Sequence, residues 1–240
     1  MPVIKLDAIP STNDFLKELA ASGPLEPFTV AVAETQTKGR GQAGSSWFSE
    51  PGKNLTFSVY VPDAVAHAQQ LFGLNVAVAL AVANALEQMG TPRISVKWPN
   101  DILSGNRKLG GILIENVIGS RIASIVGIGV NVNQSDFNGL PTATSIVLET
   151  GKEFSKEQLM ESIVNGIRGY LDLLPDGDQK LWDAYHDKLF MKGRTAMFAS
   201  AEGNRFMAIV KSVRRNGRLE LVLQDGSLRD YGVREVSMIY

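Results

Sequence analysis

The sequence predicts an α+β protein in two parts: a mixed sheet-and-helix region over residues 1–190 and a small all-β region over 191–240. Three observations predict it. Up to about residue 190, apolar runs of strand length are interleaved with longer runs at helical spacing. Beyond it the strands are short and separated by Glu202-Gly203-Asn204, Asn216-Gly217 and Asp225-Gly226. Asn-Gly and Asp-Gly favour two-residue hairpin loops, and closely spaced strands of this kind suggest a small barrel. The chain has 240 residues, 44% hydrophobic and 20% charged, enough to bury a core in one or two domains without disulfides.

Ser11-Thr12-Asn13-Asp14, ahead of Phe15, Leu16 and Leu19, reads as a helix N-cap with acidic support in the first turn. Residues 28–34 (FTVAVAE) read as a strand, 35–54 as a polar glycine-bearing stretch, and 55–61 (LTFSVYV) as an alternating strand. Residues 70–89 form a long Ala/Val/Leu helix stopped by Gly90 and Pro92. Asn75 and Asn84 interrupt its apolar run, which marks a buried helix and not a membrane span. A short strand over 93–97 stops at Trp98-Pro99. Asp101–Leu103 and Lys108–Asn116 then flank the hairpin turn Ser104-Gly105-Asn106-Arg107. Residues 121–133 read as a strand, 155–174 as an amphipathic helix opened by a Ser155/Gln158 capping box, and 178–190 as a last helix. Neighbouring strands are expected to be antiparallel.

Composition excludes several chemistries. With 24 basic and 25 acidic residues the formal charge is −1, so no global basic field exists to hold nucleic acid or an anionic membrane. There is no cysteine, which removes disulfides, thiolate nucleophiles and sulfur-ligated zinc. This is compatible with a reducing cytosol. His67 and His186 lack a nearby acid–nucleophile arrangement, and both are expected to be structural or solvated. Neither a signal-peptide apolar run nor a G-x-S-x-G, P-loop or H-E-x-x-H pattern is present.

Three stretches could carry chemistry. Gly39-Arg40-Gly41-Gln42-Ala43-Gly44 matches G-x-G-x-x-G after a strand, but Pro51 and Gly52 rule out the long helix a dinucleotide site needs. Two readings remain: a mobile surface loop, or backbone N–H groups that approach an anionic ligand with Arg40 as a fixed charge. Lys97-Trp98-Pro99-Asn100-Asp101 offers oxygen ligands for Mg²⁺ shared with substrate phosphate, or else an Asx-turn with a buried Trp. Lys108 alone would be a solvated lysine. Gly110-Gly111 behind it, and Gly127 and Gly129 in the next strand, suggest close approach by a ligand or another backbone, hence a flat, narrow, backbone-lined pocket.

Taken together and in order, Ser-Thr-Asn, Q-x-x-G-R-G-x-x-G-x-x-W, K-W-P-N-D, R-K-L-G-G-I-L-I-E and G-I-G-V-N-V-N resemble the biotin–protein ligase family, biotin–[acetyl-CoA-carboxylase] ligases, over about residues 1–240. The resemblance implies a mixed-sheet catalytic domain similar to class II aminoacyl-tRNA synthetases, followed by an SH3-like barrel. It implies that biotin and ATP with Mg²⁺ give biotinyl-5′-AMP, whose acyl group passes to one lysine of a biotin carboxyl carrier domain. On this resemblance the biotin contacts are Ser11, Thr12, Asn13, Gln36, Arg40, Gly41, Gln42, Lys108, Gly111, Leu113, Gly127 and Gly129. The nucleotide contacts are Trp47, Lys97, Asn100, Asp101 and Asn131, with Asp101 and Asn100 also facing the metal. Lys108, Arg40 and Asp101 carry catalysis, Lys108 by neutralising charge at the reacting phosphorus.

Two departures stand out. Family members often have Arg where this chain has Gln42, and more cations near Ala43, Ser45 and Ser46; here Arg40 is the loop's remaining charge, which predicts a weaker hold on the adenylate. Bifunctional members carry an N-terminal winged helix-turn-helix, whereas only about ten residues precede Ser-Thr-Asn here, so a monofunctional cytoplasmic enzyme without specific DNA binding is expected. The family also suggests a homodimer through a sheet edge. A lipoate or octanoyl ligase is the nearest rival, but its Arg-Arg-x-Ser-Gly-Gly-Gly signature is absent. A silent module that merely captures biotin or carrier domains is the other, against which the presence of Lys108, Asp101 and Asn131 argues.

Overall fold

Ser11 ends one strand and starts one helix, and that junction organises the N-terminal third of the chain. Its hydroxyl accepts a hydrogen bond from Asp14 N at 3.3 Å, capping α1 (Thr12–Ser22) after β1 (Val3–Ile9). The helix crosses over to β2 (Val30–Gln36), which pairs with β1 in parallel. This corrects the expectation of antiparallel neighbours: the α1 crossover brings the chain back in the same direction, as a β-α-β connection must. β1 is not among the expected strands, although Ile4-Lys5-Leu6-Asp7-Ala8 alternates apolar and polar residues as a strand does. The computed structural model describes residues 1–63, 65, 70–118, 122–137, 139–174 and 179–239; His67, Arg121 and Asp178 lie outside them.

All other neighbours in the first sheet are antiparallel. β3 (Leu55–Pro62) pairs with β2 and β7 (Ile122–Val130), and β6 (Arg107–Ile118) lies between β7 and β5 (Asp101–Ser104). β4 (Ile94–Lys97) closes the far edge, so the seven strands run β1-β2-β3-β7-β6-β5-β4. One face packs on α2 (Leu71–Gln88) and α4 (Lys156–Leu171), with Phe57, Val59, Ile112, Val126 and Ile128 buried between them. α2 is long and apolar enough to cross a membrane by composition, yet 67% of that stretch is buried within the protein, as a core helix should be. Its two polar interruptions are both used. Asn75 donates to Pro99 O at 2.9 Å and Asn84 to Tyr170 Oη at 2.5 Å. The opposite face carries α1, seated through Leu16 on Ala31 and Ile125, and leaves the rest open.

α3 (Ile146–Thr150), a short helix between an N-capping Ser145 and Gly151 that is not among the expected elements, and α5 (Gln179–Asp187) complete the α-helices among the described residues. Residues 195–239 form the second sheet: β8 (Thr195–Ser200), β9 (Arg205–Val213), β10 (Leu219–Val222), β11 (Leu228–Tyr231) and β12 (Val236–Ile239), ordered β11-β10-β9-β8-β12 and antiparallel throughout. The three glycine-bearing turns connect β8 to β9, β9 to β10 and β10 to β11, where the hairpin chemistry places them. This unit fits a small SH3-like barrel. Phe198, Val210 and Leu221 join the same continuous core as the first sheet. His186 is structural: Val213 N donates to its Nε2 at 3.2 Å, tying α5 to β9.

Candidate active site

Register brings the predicted residues together. Lys97 pairs with Asp101, Asp101 with Gly111, Gly111 with Gly129, and Gly129 with Thr56. Directly paired residues of antiparallel strands share a face, so a single row crosses five strands with a carboxylate and a lysine at one end and bare backbone in the middle. A parallel row contains Leu113, Gly127, Ser58 and Ala31. The two glycines of β7 are required by what lies above them. A Cβ on Gly127 would overlap the Asn13 carboxamide, and one on Gly129 would come within 2.6 Å of Trp47 Cε2.

Above these rows lies a cleft of about 510 Å³. Every residue assigned to biotin contact lines it, together with Trp47, Lys97, Asn100 and Asp101. Asn131 does not. Its buried amide donates to Thr144 O at 2.9 Å, and its N–H to Leu109 O at 2.9 Å, so it pins the segment before α3 to β6. Asn100 is also committed in part, since its Nδ2 donates to Ile112 O at 2.6 Å and holds the 97–101 turn against β6.

The α1 end of the cleft is a connected polar network. Gln36 Oε1 accepts from Thr12 N at 2.8 Å and from its hydroxyl at 3.0 Å. Ser58 donates to Asn13 Oδ1 at 2.6 Å, while Asn13 Nδ2 donates to Glu115 Oε2 at 2.6 Å and Leu113 O at 3.3 Å. Asn13 is thus engaged on both sides with protein, whereas the Ser11 hydroxyl, having accepted the capping bond, retains its own proton for a ligand. Glu115 also meets Lys17 at 2.5 Å and Arg40 at 3.7 Å, and Asp14 meets Arg40 at 2.5 Å. Arg40 is therefore tethered across the mouth by two acids. Glu115, Ser58 and Asn75 are supporting residues that motif reading misses. The polar interruption of an apolar run was the available signal for Ser58 and Asn75, and the closing Glu of the K-L-G-G-I-L-I-E run for Glu115.

The glycine-rich loop is folded and not extended. Gly41 N donates to Ser45 O at 2.7 Å, Trp47 N to Gly39 O at 2.9 Å, and Arg40 bridges Ser46. This lays the Trp47 ring on Gly129, with Lys108 Nζ 5.8 Å from its centroid. Gln42 Oε1 and Trp47 Nε1 are buried without a hydrogen-bond partner among the described residues. Two orphaned polar atoms in one loop, both on residues that line the cleft, are what a ligand would satisfy. At the other end Lys108 Nζ lies 2.6 Å from Asp101 Oδ1, and Lys97 Nζ 3.6 Å from Oδ2. Burial pushes the Lys97 ammonium below the usual lysine range, while the Asp101 charge opposes that shift. Among the described residues no group of three or more His, Cys, Asp or Glu comes together as a metal cluster.

A mixed sheet floored by glycine rows, a lysine–carboxylate end and a folded glycine loop, with a small barrel alongside, define a ligase-class enzyme domain. Residues 6–133 match the biotin/lipoate A/B protein ligase family, and the chain belongs to that family. It is 27% identical over 240 residues to the bifunctional ligase/repressor BirA of Escherichia coli K12, covering 98% of this chain and 74% of that protein. It is 35% identical over 140 residues to the biotin–[acetyl-CoA-carboxylase] ligase of Mycobacterium tuberculosis, covering 57% of this chain and 52% of that one. Among solved structures, the biotin protein ligase from Aquifex aeolicus in complex with biotin and ATP superposes with a TM-score of 0.83 at 26% identity, covering 99% of this chain and 98% of that chain.

Proposed function

We propose that this chain activates biotin with ATP as biotinyl-5′-AMP and then transfers the biotinyl group to a lysine of a biotin carboxyl carrier domain. The observation that carries this reading is the glycine row. Gly111 and Gly129 face each other, with Gly127 one row further, between a hydrogen-bonding α1 end and the Lys97–Asp101–Lys108 end. A flat bicyclic ring with an acyl tail fits such a slot, its ureido group meeting the Ser11, Thr12 and Gln36 hydrogen-bonding groups and its carboxylate reaching Lys108. The relatives that share the fold and bind biotin and ATP support it.

In the first step a biotin carboxylate oxygen bonds to the α-phosphorus of ATP and the bond to the β-phosphoryl oxygen breaks, releasing pyrophosphate. Lys108, held by Asp101, supplies positive charge where the phosphorane gathers negative charge, and Arg40 closes the mouth over the acyl phosphate. In the second step the carrier lysine amine attacks the acyl carbon, AMP leaves, and the ammonium proton passes to solvent. No covalent bond to the enzyme is needed. Magnesium fits as an ion that arrives with ATP, because it takes one or two carboxylates plus phosphate oxygens, and Asp101 is the carboxylate present. When bound it would neutralise the polyphosphate. Asn100 and Trp47 would border the nucleotide. In this reading residues 1–190 hold both substrates and 191–240 form the barrel, and the enzyme works in the cytoplasm without specific DNA binding. A homodimer through a sheet edge remains part of the proposal.

The test is pyrophosphate release with ATP, Mg²⁺ and one acid at a time. Release with biotin and background rates with lipoate and octanoate support the reading; preference for lipoate or octanoate assigns the cleft to the other branch of the family.

A further inference from the structure

We propose that Glu149 of α3 is a positioning residue for Lys108: together with Thr144 it holds the β-bulge that turns the Lys108 side chain toward Asp101. This deepens the reading of Lys108 given above and rests on it. Glu149 lies outside every motif, and neither it nor Thr144 lines the cleft. Alternation alone would keep Lys108 out of the site. Gly111 pairs with Asp101 and both line the cleft, so in a regular strand Leu109 would face it too and Lys108 would point the other way. The structure does the reverse. Leu109 is fully buried in the core, while Lys108 lines the cleft with Nζ 2.6 Å from Asp101 Oδ1. The cause is a shift of register. Ile102 pairs with Gly110 but Leu103 with Lys108, which leaves Leu109 as an extra residue on β6. A bulge of this kind re-aims the side chains beyond it.

The re-aimed residue then needs a partner on its other side, because β7 ends at Val130, opposite Gly110. Residues 142–144 take the place of β7. Lys108 N donates to Thr142 O at 2.6 Å, and Thr144 N donates to Lys108 O at 2.9 Å. Both backbone groups of Lys108 are thus held by one short strap, and the strap is tied down twice. Asn131 Nδ2 donates to Thr144 O at 2.9 Å. The Thr144 hydroxyl donates to Glu149 Oε1 at 2.7 Å, and Arg107 Nη2 donates to the same oxygen at 2.5 Å.

Glu149 therefore closes a ring. From its carboxylate the ring runs to Thr144, through the Thr144 backbone to Lys108, on to the adjacent Arg107, and back to the carboxylate. The carboxylate is 3% exposed, and its second oxygen lies 3.6 Å from Arg93 Nη2. A charge removed from water to this degree persists only where partners hold it, so the ring resists distortion. Lys108 has a long side chain that must place one ammonium at a reacting phosphate. Fixing its backbone on both sides removes the motions that would spread that ammonium over many positions.

The experiment compares the full chain with Glu149→Gln, Lys108→Ala and the double variant. Single-turnover formation of labelled adenylate from biotin and ATP gives the rate, and calorimetry gives the affinity for α,β-methylene-ATP. Glu149→Gln keeps the size of the side chain and removes the charge that draws Arg107. It should slow adenylate formation about tenfold or more while analogue affinity stays within about twofold of wild type, since a misplaced group costs rate before it costs binding. In the Lys108→Ala background the same change should have no further effect, which marks a residue that acts through Lys108. Thr144→Val keeps its shape and loses the hydroxyl, so it should behave as Glu149→Gln does, and Thr144→Ser should restore most of the rate. If Glu149→Gln does not fold, Thr144→Val carries the same comparison. Equal slowing with and without Lys108, or a normal rate in the Glu149 and Thr144→Val variants, would overturn the proposal. A wild type that forms no adenylate from biotin removes the ligase reading itself. A wild type that forms it, beside effects that add in the double variant, removes the positioning role alone.

Discussion

Asp101 holds two lysines, and the three groups together carry one net positive charge at the end of the cleft where a phosphate would react. Lys108 is the partly exposed member and can swing from Asp101 to substrate. Lys108→Ala should therefore slow adenylate formation by about 10²-fold, the scale for removing one preorganised electrostatic group. Stability should change by less than about 0.5 kcal/mol, since the side chain is partly exposed. Single-turnover formation of labelled adenylate, beside a melting curve, checks both parts; near-normal turnover removes Lys108 from the mechanism. Lys97 is the buried member. Its ammonium is held below the usual lysine range chiefly by desolvation, so it loses its proton earlier as pH rises. Adenylate formation should accordingly decline on the alkaline side before an ordinary lysine would titrate. Lys97→Arg, which stays protonated, should carry that limb to higher pH. An unshifted limb in the arginine variant would assign the titration to another group.

The glycine-rich loop shows how element-level reading succeeds and stops. Its motif was legible, and so was its departure from the family at Gln42. Its fold was not, because the seat of Trp47 on Gly129 depends on a strand some eighty residues away. Gln42 Oε1 is buried and unpaired, so the loop awaits a donor from a ligand and offers no second cation. Gln42→Arg should slow release of biotinyl-AMP by at least about tenfold, or roughly 1.4 kcal/mol. Release of labelled adenylate measured by stopped flow is the check; equal or faster release means that backbone contacts govern retention. Elsewhere, local chemistry was readable where it is local. Ser155 caps α4 by accepting from Gln158 N, and the Asn-Gly and Asp-Gly turns join antiparallel strands. β1 was readable from the alternation of Ile4-Lys5-Leu6-Asp7-Ala8, but its parallel partnership with β2 was not, because that is made by long-range pairing. Asn131 was legible as part of a motif, but the structure spends its amide on Thr144 away from the cleft, which no spacing argument could tell.

At the scale of the molecule, two sheets of different kinds share one core, and the hinge of the arrangement is the 97–101 turn. Asn75 of α2 holds Pro99 O, Asn100 holds Ile112 O, and Trp98 reaches Gly217 of the second sheet. The lysine–carboxylate end of the cleft is thereby fixed by the core helix, by β6 and by the barrel at once, while Glu115 and Asp14 hold the opposite end through Asn13 and Arg40. Such a cleft is rigid at both ends and closed by one folded loop, which suits an enzyme that must keep a reactive mixed anhydride from water until an acceptor arrives. The most direct test is to incubate the protein with biotin, ATP and Mg²⁺, denature, and analyse protein and supernatant by mass spectrometry. The account predicts biotinyl-5′-AMP in the supernatant and a protein of unchanged mass. Absence of the adenylate, or a protein already heavier by one biotinyl group before any carrier is added, would contradict it.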